Sequence, residues 1–190
     1  MLKCSHDSGG IVVCKDKSQL DIQDAVNKLK NGLKTSYFKY NREWPYKNVK
    51  PRIIAEKYMV DESGTELKDY KFFCFDGEPK AMFIASDRFN KSEETKFDFY
   101  DMNFNHLPFT NGHPNSKTSI DKPTTFEEMK SLAAKLSKGW PHLRVDFYEI
   151  NGRVYFGEMT FFHFSGMTPF KPSEWDSRFG EWLKLPQKQK

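Results

Sequence analysis

The chain has little cysteine: Cys4, Cys14 and Cys74 are odd in number and widely spaced, with no C-x-x-C pair and no histidine cluster beside them. That excludes a disulfide framework and a zinc site, and reduced thiols are the simplest reading. No apolar run approaches the roughly 18 residues that suggest a membrane span, and the N-terminus lacks an apolar signal core. The patterns G-x-x-x-x-G-K-[ST] and G-x-G-x-x-G are absent, which leaves no support for a P-loop enzyme or a Rossmann dinucleotide binder. A G-x-S-x-G elbow and a persuasive Cys/His pair are missing too, so no protein nucleophile is indicated. No basic stripe interleaved with aromatics marks a nucleic-acid partner. Together these absences predict a soluble, cytoplasmic protein.

What is present is a core. The 190 residues are 37% hydrophobic and 16% aromatic, with 18 phenylalanines, 29% charge and a net charge of +4. Such a chain can bury one domain or two small lobes, and its mild basicity is compatible with a phosphorylated or acidic ligand without indicating one. Phenylalanine is most often core, although "KFDFYDMNF" and "FFHF" would also suit a groove for sugar rings.

Strands and single helices are predicted in turn. "LKC", the loop "SHDSGG" and "IVVC" read strand, loop, strand; Ile22, Ala25, Val26, Leu29 and Leu33 recur at helical spacing behind a capping Asp21, with Gly32 near the stop. Residues 41–51 read as a linker between lobes, which divides the chain into 1–50 and 51–190. "RIIAEKYM" resumes as a strand, and "DYKFFCF" and "KAMFIAS" form a hairpin around "DGEP". Residues 88–123 read as one long loop, which is uncommon unless it covers a site. Thr125 and Glu128 make a T-x-x-E capping box for a helix with Met129, Leu132, Ala133 and Leu136 on one face. A last helix behind Ser173 carries Trp175, Phe179 and Trp182. The expected class is α+β, not a doubly wound parallel sheet.

The stretch "RVDFYEINGRVYFGEMT" carries the chemistry. Alternation puts Arg144, Asp146 and Tyr148 on one strand face, and Phe156, Glu158 and Thr160 on one face of its partner. A strict two-residue Asn-Gly turn would set Asp146 opposite Gly157 and send Glu158 to the other side. A three-residue turn with Gly152 in the left-handed position brings both acids to one face, so a functional pair demands a bulged turn. Two such carboxylates repel unless a cation offsets them, and Mg²⁺ is commonly held by one or two carboxylates plus nucleotide phosphates. Arg144 would offer a planar fork to phosphate oxygens. The plain alternative is a solvated hairpin face with Arg144 as salt-bridge partner. Likewise "KCSHDSGG" is either a lysine and glycine loop for phosphate or an ordinary turn. His163 reads as a structural histidine beside the site.

In order, the lysine and glycine-rich loop, "AEKYM", "DYKFF", "RVDF" and "GEMTFFHFSGM" resemble the nucleotide-binding series of ATP-grasp ligases, and most closely the TupA-like branch associated with teichuronopeptide and cell-surface polysaccharide biosynthesis. The resemblance spans essentially the whole chain. It implies two small lobes of antiparallel strands with packed helices, a small one over 1–50 and a larger one over 51–190, with ATP between them. By matching position, Lys3 resembles the lysine that reaches the phosphates, and Ser8, Gly9 and Gly10 the loop that closes over them. Glu56, Lys57, Tyr58 and Met59 would hold the adenine, and Asp69 lies where the family often has an acid near the ribose. Lys71 would face the phosphates and Arg144 would stabilise the transferred phosphoryl group. Asp146 and Glu158 resemble the metal-binding acids; Thr160 stands where the family usually has Asn, and its hydroxyl is a weaker ligand. The family carries a further N-terminal domain and lysine upstream, which implies a chain lacking that domain.

The implied reaction uses ATP and Mg²⁺ to activate a carboxylate, on a sugar or amino-acid substrate, as an acyl-phosphate that an amine then attacks. Two other readings remain. A glycosyltransferase would also want paired acids and a basic phosphate site, and predicts protection by UDP-sugars; a nucleotide-binding module without activity predicts ATP binding without turnover.

Overall fold

Two short segments half a hundred residues apart, Leu2–Cys4 (β1) and Ile53–Ala55 (β2), pair antiparallel with Lys3 opposite Ile54 in the computed structural model of the protein. The structure describes residues 1–6, 10–62, 64, 67–87 and 94–186. Val12 reaches Leu2 through a single bridge, so the expected "IVVC" strand shrinks to one paired residue. Ile22–Lys34 (α1) begins as its sequence demands, the Asp21 carboxylate accepting the Asp24 N–H at 2.9 Å. Ala25 and Leu29 of α1 pack on Cys4 and Val12. Tyr37–Asn41 (α2) ends where the stretch read as linker begins, and a 3-10 turn at Trp44–Tyr46 lies within it. These elements form a compact unit, Met1–Met59. Residues 51–59 join it because β2 finds its hydrogen-bonding partner in β1, which moves the division nine residues beyond position 50.

The second unit, Val60–Lys190, is built on an antiparallel sheet. Its strands are Asp69–Phe75 (β3), Glu78–Ser86 (β4), Lys96–Tyr100 (β5), His106–Leu107 (β6), Leu143–Ile150 (β8) and Arg153–Thr160 (β9), in the order β6-β5-β4-β3-β8-β9; Thr110–Asn111 (β7) pairs instead with Phe170–Lys171 (β10). The β3–β4 hairpin turns at Asp76 and Gly77, both at positive φ, the mirror-image turn whose twist suits antiparallel strands. Three strands, β5 to β7, lie within the region expected to be a long loop. Phe97 and Phe99 point to one face while Asp98 and Tyr100 point to the other, and all four are buried, so burial does not alternate along the strand.

Each sheet face has its own cover. Phe72, Met82, Ile84, Val145 and Phe147 pack under Phe126–Ser137 (α3) through Phe126, Met129 and Ala133. Phe73, Phe75, Phe83 and Phe99 pack with Phe109 and with Glu174–Trp182 (α4) through Phe179, Trp175 and Trp182. The capping box expected for α3 does not form: the Thr125 side chain makes no cap bond. Glu149 of β8 accepts from the Thr125 N–H at 3.1 Å, from its hydroxyl at 2.7 Å and from the Thr124 hydroxyl at 2.7 Å. A carboxylate from the sheet thus satisfies the positive end of the helix.

Candidate functional site

The turn at Asn151 and Gly152 is a strict two-residue one, with φ of 50° and 66° and Ile150 paired to Arg153. The expected bulge is not there. It lies further along, where Phe147 pairs with Phe156 but Asp146 pairs with Glu158, leaving Gly157 as the extra residue. Both acids therefore share a face as the functional reading requires, by a different route, and Phe156 turns to the opposite side, edge-on to Phe147 at 6.5 Å. The bulge needs glycine for space: a Cβ at 157 would stand 3.0 Å from the Asp146 carbonyl oxygen and 3.2 Å from Cε2 of Tyr148.

On the face shared with α4, β3 and β8 bring together Asp69, Lys71, Arg144 and Asp146, with Glu158 and Thr160 beside them on β9. Arg144 holds Asp146 with a two-pronged grip, Nε to Oδ1 at 2.8 Å and Nη2 to Oδ2 at 2.7 Å. The same Nη2 reaches Glu158 Oε1 at 3.1 Å and Thr160 Oγ1 at 2.9 Å. Lys71 Nζ donates to Asp146 Oδ2 and lies 3.4 Å from Asp69 Oδ2. Asp146 is wholly buried and Arg144 is 7% exposed, whereas the Glu158 side chain is 59% exposed. The cluster is a buried ion network with one acid opening to solvent.

Its titration follows from that burial. Desolvation pushes the Asp146 carboxyl upward, but Arg144 and then Lys71 outweigh it and hold it below the usual carboxylate value. Burial drives the Lys71 ammonium below its ordinary value, Asp146 opposing and Arg144 adding to the drop. Three carboxylates stand against two cations here, an arrangement that can exchange one partner for another charged group without leaving a charge bare.

Two residues that the pattern of motifs did not mark as site residues complete the network. His163, in a 3-10 turn at His163–Gly166, sets Nδ1 2.8 Å from Arg144 Nη1 and Nε2 2.8 Å from Asn111 Oδ1. Asn111 lies 52 positions before it, and no local spacing reveals the contact. Burial and then the Arg144 guanidinium hold the His163 pKa down at about 2, so the ring is neutral.

The first unit keeps its own candidate residues. Lys3 of β1 pairs with Glu56 at 2.9 Å, and Lys15 lies over the Tyr58 ring at 5.1 Å. Gly10 follows the loop and leads into Val12; Ser8 and Gly9 lie outside the described residues. Lys57 and Met59 close the unit just after β2.

The donor set suits a hard divalent ion only in part. Asp146 already spends both oxygens on cations, Thr160 accepts from Arg144 and lies 3.2 Å from Glu158 Oε1, and Glu158 alone reaches solvent. Among the described residues no three His, Cys, Asp or Glu side chains gather into a protein-only cage. Mg²⁺ needs none, since one or two carboxylates with nucleotide phosphates commonly suffice. Glu158, with Asp146 beside it, fits that role.

The site is thus an antiparallel sheet bearing a buried Lys–Arg–carboxylate network with one solvent-facing acid. The chain belongs to the TupA-like ATP-grasp family, whose model matches residues 1–184, nearly the whole length. Membership makes it an ATP-binding protein of ligase type and accords with the antiparallel sheets and four helices seen here. No curated protein and no solved structure matches the chain. Among the described residues no helix is long and apolar enough to cross a membrane.

Proposed function

We propose that the protein is an ATP- and Mg²⁺-dependent ligase of the cytoplasm that activates a carboxylate as an acyl-phosphate for attack by an amine, in the assembly of a teichuronopeptide or another cell-surface polysaccharide. The observation that carries this reading is the Lys71–Asp146–Arg144–Glu158 network in a chain matched over residues 1–184 by an ATP-grasp family. Phosphoryl transfer asks a protein mainly for positioning and charge stabilisation, and buried cations supply both. Lys71 and Arg144 face the transferred phosphoryl group, while Asp146 keeps the two cations together and aligned. Glu158, with Asp146, holds Mg²⁺, which when bound neutralises phosphate charge. Lys3 and the loop at Ser8, Gly9 and Gly10 serve the phosphates, Glu56 to Met59 the adenine and Asp69 the ribose. The carboxylate is carried by a sugar or amino acid.

Calorimetry of ATP binding with and without Mg²⁺, on the wild type and on Glu158→Gln, tests the reading. Binding that needs Mg²⁺ and weakens about tenfold or more in the variant supports it, since a ligand contact to an ion is worth at least one charged hydrogen bond. Heat from a UDP-sugar in place of ATP would transfer the site to glycosyl transfer.

A further inference from the structure

We propose that His163 is a positioning residue for Arg144: oriented by Asn111 with its proton on Nε2, the imidazole receives Arg144 Nη1 and aims the guanidinium at Asp146 and Glu158. The inference rests on the ATP-dependent reading, because its consequence is read at the nucleotide site.

The direction of each hydrogen bond leaves one arrangement. Arginine has only donors, so at 2.8 Å His163 Nδ1 must accept. The proton then sits on Nε2 and is donated to Asn111 Oδ1 at 2.8 Å. Asn111 can present only that oxygen, since its amide group donates to the carbonyls of Thr168 at 2.8 Å and Pro169 at 3.2 Å. Asn111 is itself 1% exposed and fixed in β7 opposite Phe170 of β10. A chain of donations therefore runs from Arg144 of the ion network through His163 and Asn111 to the carbonyls of Thr168 and Pro169.

The backbone around the histidine supports a purpose beyond filling space. Phe164 and Ser165, the two residues after it, hold φ of 47° and 56°, a strained conformation for side chains of this kind. The Phe164 ring lies tilted by 39° against the His163 ring, centroids 4.4 Å apart, and sits where Gly112 leaves room, for a Cβ at 112 would lie 2.7 Å from its ring. The rings of Phe73 and Phe83, 5.1 and 5.4 Å away, complete an apolar wall that offers the imidazole no hydrogen bond. The apolar wall makes no demand for a polar ring; only the two hydrogen bonds call for histidine.

Two variants separate positioning from packing. His163→Phe keeps the ring and loses both hydrogen bonds, whereas His163→Asn loses the ring but keeps an acceptor near the Nδ1 position. Positioning predicts that His163→Phe lowers MgATP affinity about tenfold or more, the scale of one charged hydrogen bond, and that His163→Asn restores most of the loss. The reverse order, with phenylalanine tolerated and asparagine damaging, overturns the proposal. A long-range proton–nitrogen spectrum of the wild type at pH 7 tests the arrangement without any variant: an imidazole protonated at Nε2 only upholds it, and a proton on Nδ1 overturns it. Should the wild type fail to bind MgATP, the ATP-dependent reading falls and the spectrum by itself decides the role of His163.

Discussion

The two faces of the six-stranded sheet use the same strands and solve opposite problems. Under α3, alternate residues of β3, β4 and β8 are apolar from Phe72 and Ile84 to Val145 and Phe147, with Glu149 at the end of β8 reaching the start of α3. On the α4 side the same strands mix the two, with Phe83 in register with Lys71 and Phe73 with Arg144, and Asp69 and Asp146 adding to the charged set. Burying hydrocarbon stabilises by area removed from water, whereas buried charges hold only as long as each has its partner. One face tolerates exchange of like for like; the other is a set of mutual dependencies, which is what a site for a charged ligand requires.

The largest effects should expose that difference. Asp146→Asn leaves Lys71 and Arg144 buried without their shared counter-ion and is expected to cost about 3–5 kcal/mol of unfolding free energy. Met129→Ala, in the centre of the α3 face, should cost about 2–5 kcal/mol through a cavity. Denaturant unfolding measures both, and the distinction lies in rescue: adding Lys71→Met to Asp146→Leu should recover part of the first loss, while no polar change repairs the second. If Asp146→Asn were neutral, the network would not be the buried ion cluster described.

Next in size is the bulge that lets the two acids share a face. Gly157→Ala forces a methyl to 3.0 Å from the Asp146 carbonyl oxygen, a ladder atom with little freedom to yield. Overpacking of this kind costs about 1–3 kcal/mol, and MgATP affinity should fall with it because Glu158 shifts against Asp146. A variant as stable as the wild type with unchanged affinity would show that the strand pairing is set elsewhere.

Acid should act first on the polar face. His163 is buried neutral, with its folded-state pKa near 2 against an ordinary 6.5, and His142 is displaced downward too, first by burial. A depressed folded pKa means that stability present above 6.5 is lost as pH falls toward the folded value, because the unfolded chain takes up the proton first. One such group gives a slope of at most about 1.4 kcal/mol per pH unit. Below pH 4 Asp146 adds a loss of the same sign, its carboxyl being held low by Arg144 and Lys71 against the opposing pull of burial. Unfolding midpoints between pH 7 and 4.5 should therefore decline in the wild type and decline less in His163→Asn.

How much of this was legible in the sequence depended on whether the signal was local. The β3–β4 hairpin, α1, α3 and α4 follow from periodicity within a dozen residues. Residues 96–100 did not read as a strand because their five-residue pattern is too short to stand out in a stretch rich in Asn, Asp and Phe without sustained periodicity, and the fold buries Asp98 along with Phe97 and Phe99. The pairing of Asp146 with Glu158 was expected only on condition of a bulged Asn-Gly turn; that turn is strict, and an interior Gly157 supplies the bulge instead. For α3 the T-x-x-E spacing suggested a local cap, yet Glu149, 24 positions from Thr125, provides it. Asn111 and His163 meet only through the fold, and no spacing rule could have joined them.

The smallest expected effect on stability is the most informative about function. Glu158 lies next to a buried arginine but is itself mostly in water, so its ion pair is screened and Arg144 keeps Asp146, Thr160 and His163 when that charge is removed. Glu158→Gln should therefore change the unfolding free energy by no more than about 0.5 kcal/mol. A residue held for structure would show the opposite: a measurable loss of stability and no change toward nucleotide. If the variant unfolds like the wild type and loses Mg²⁺-dependent ATP affinity, the exposed end of the network is where the ligand meets the protein, and the buried end, with Asp146 at its centre, is the part that keeps the cations in place before it arrives.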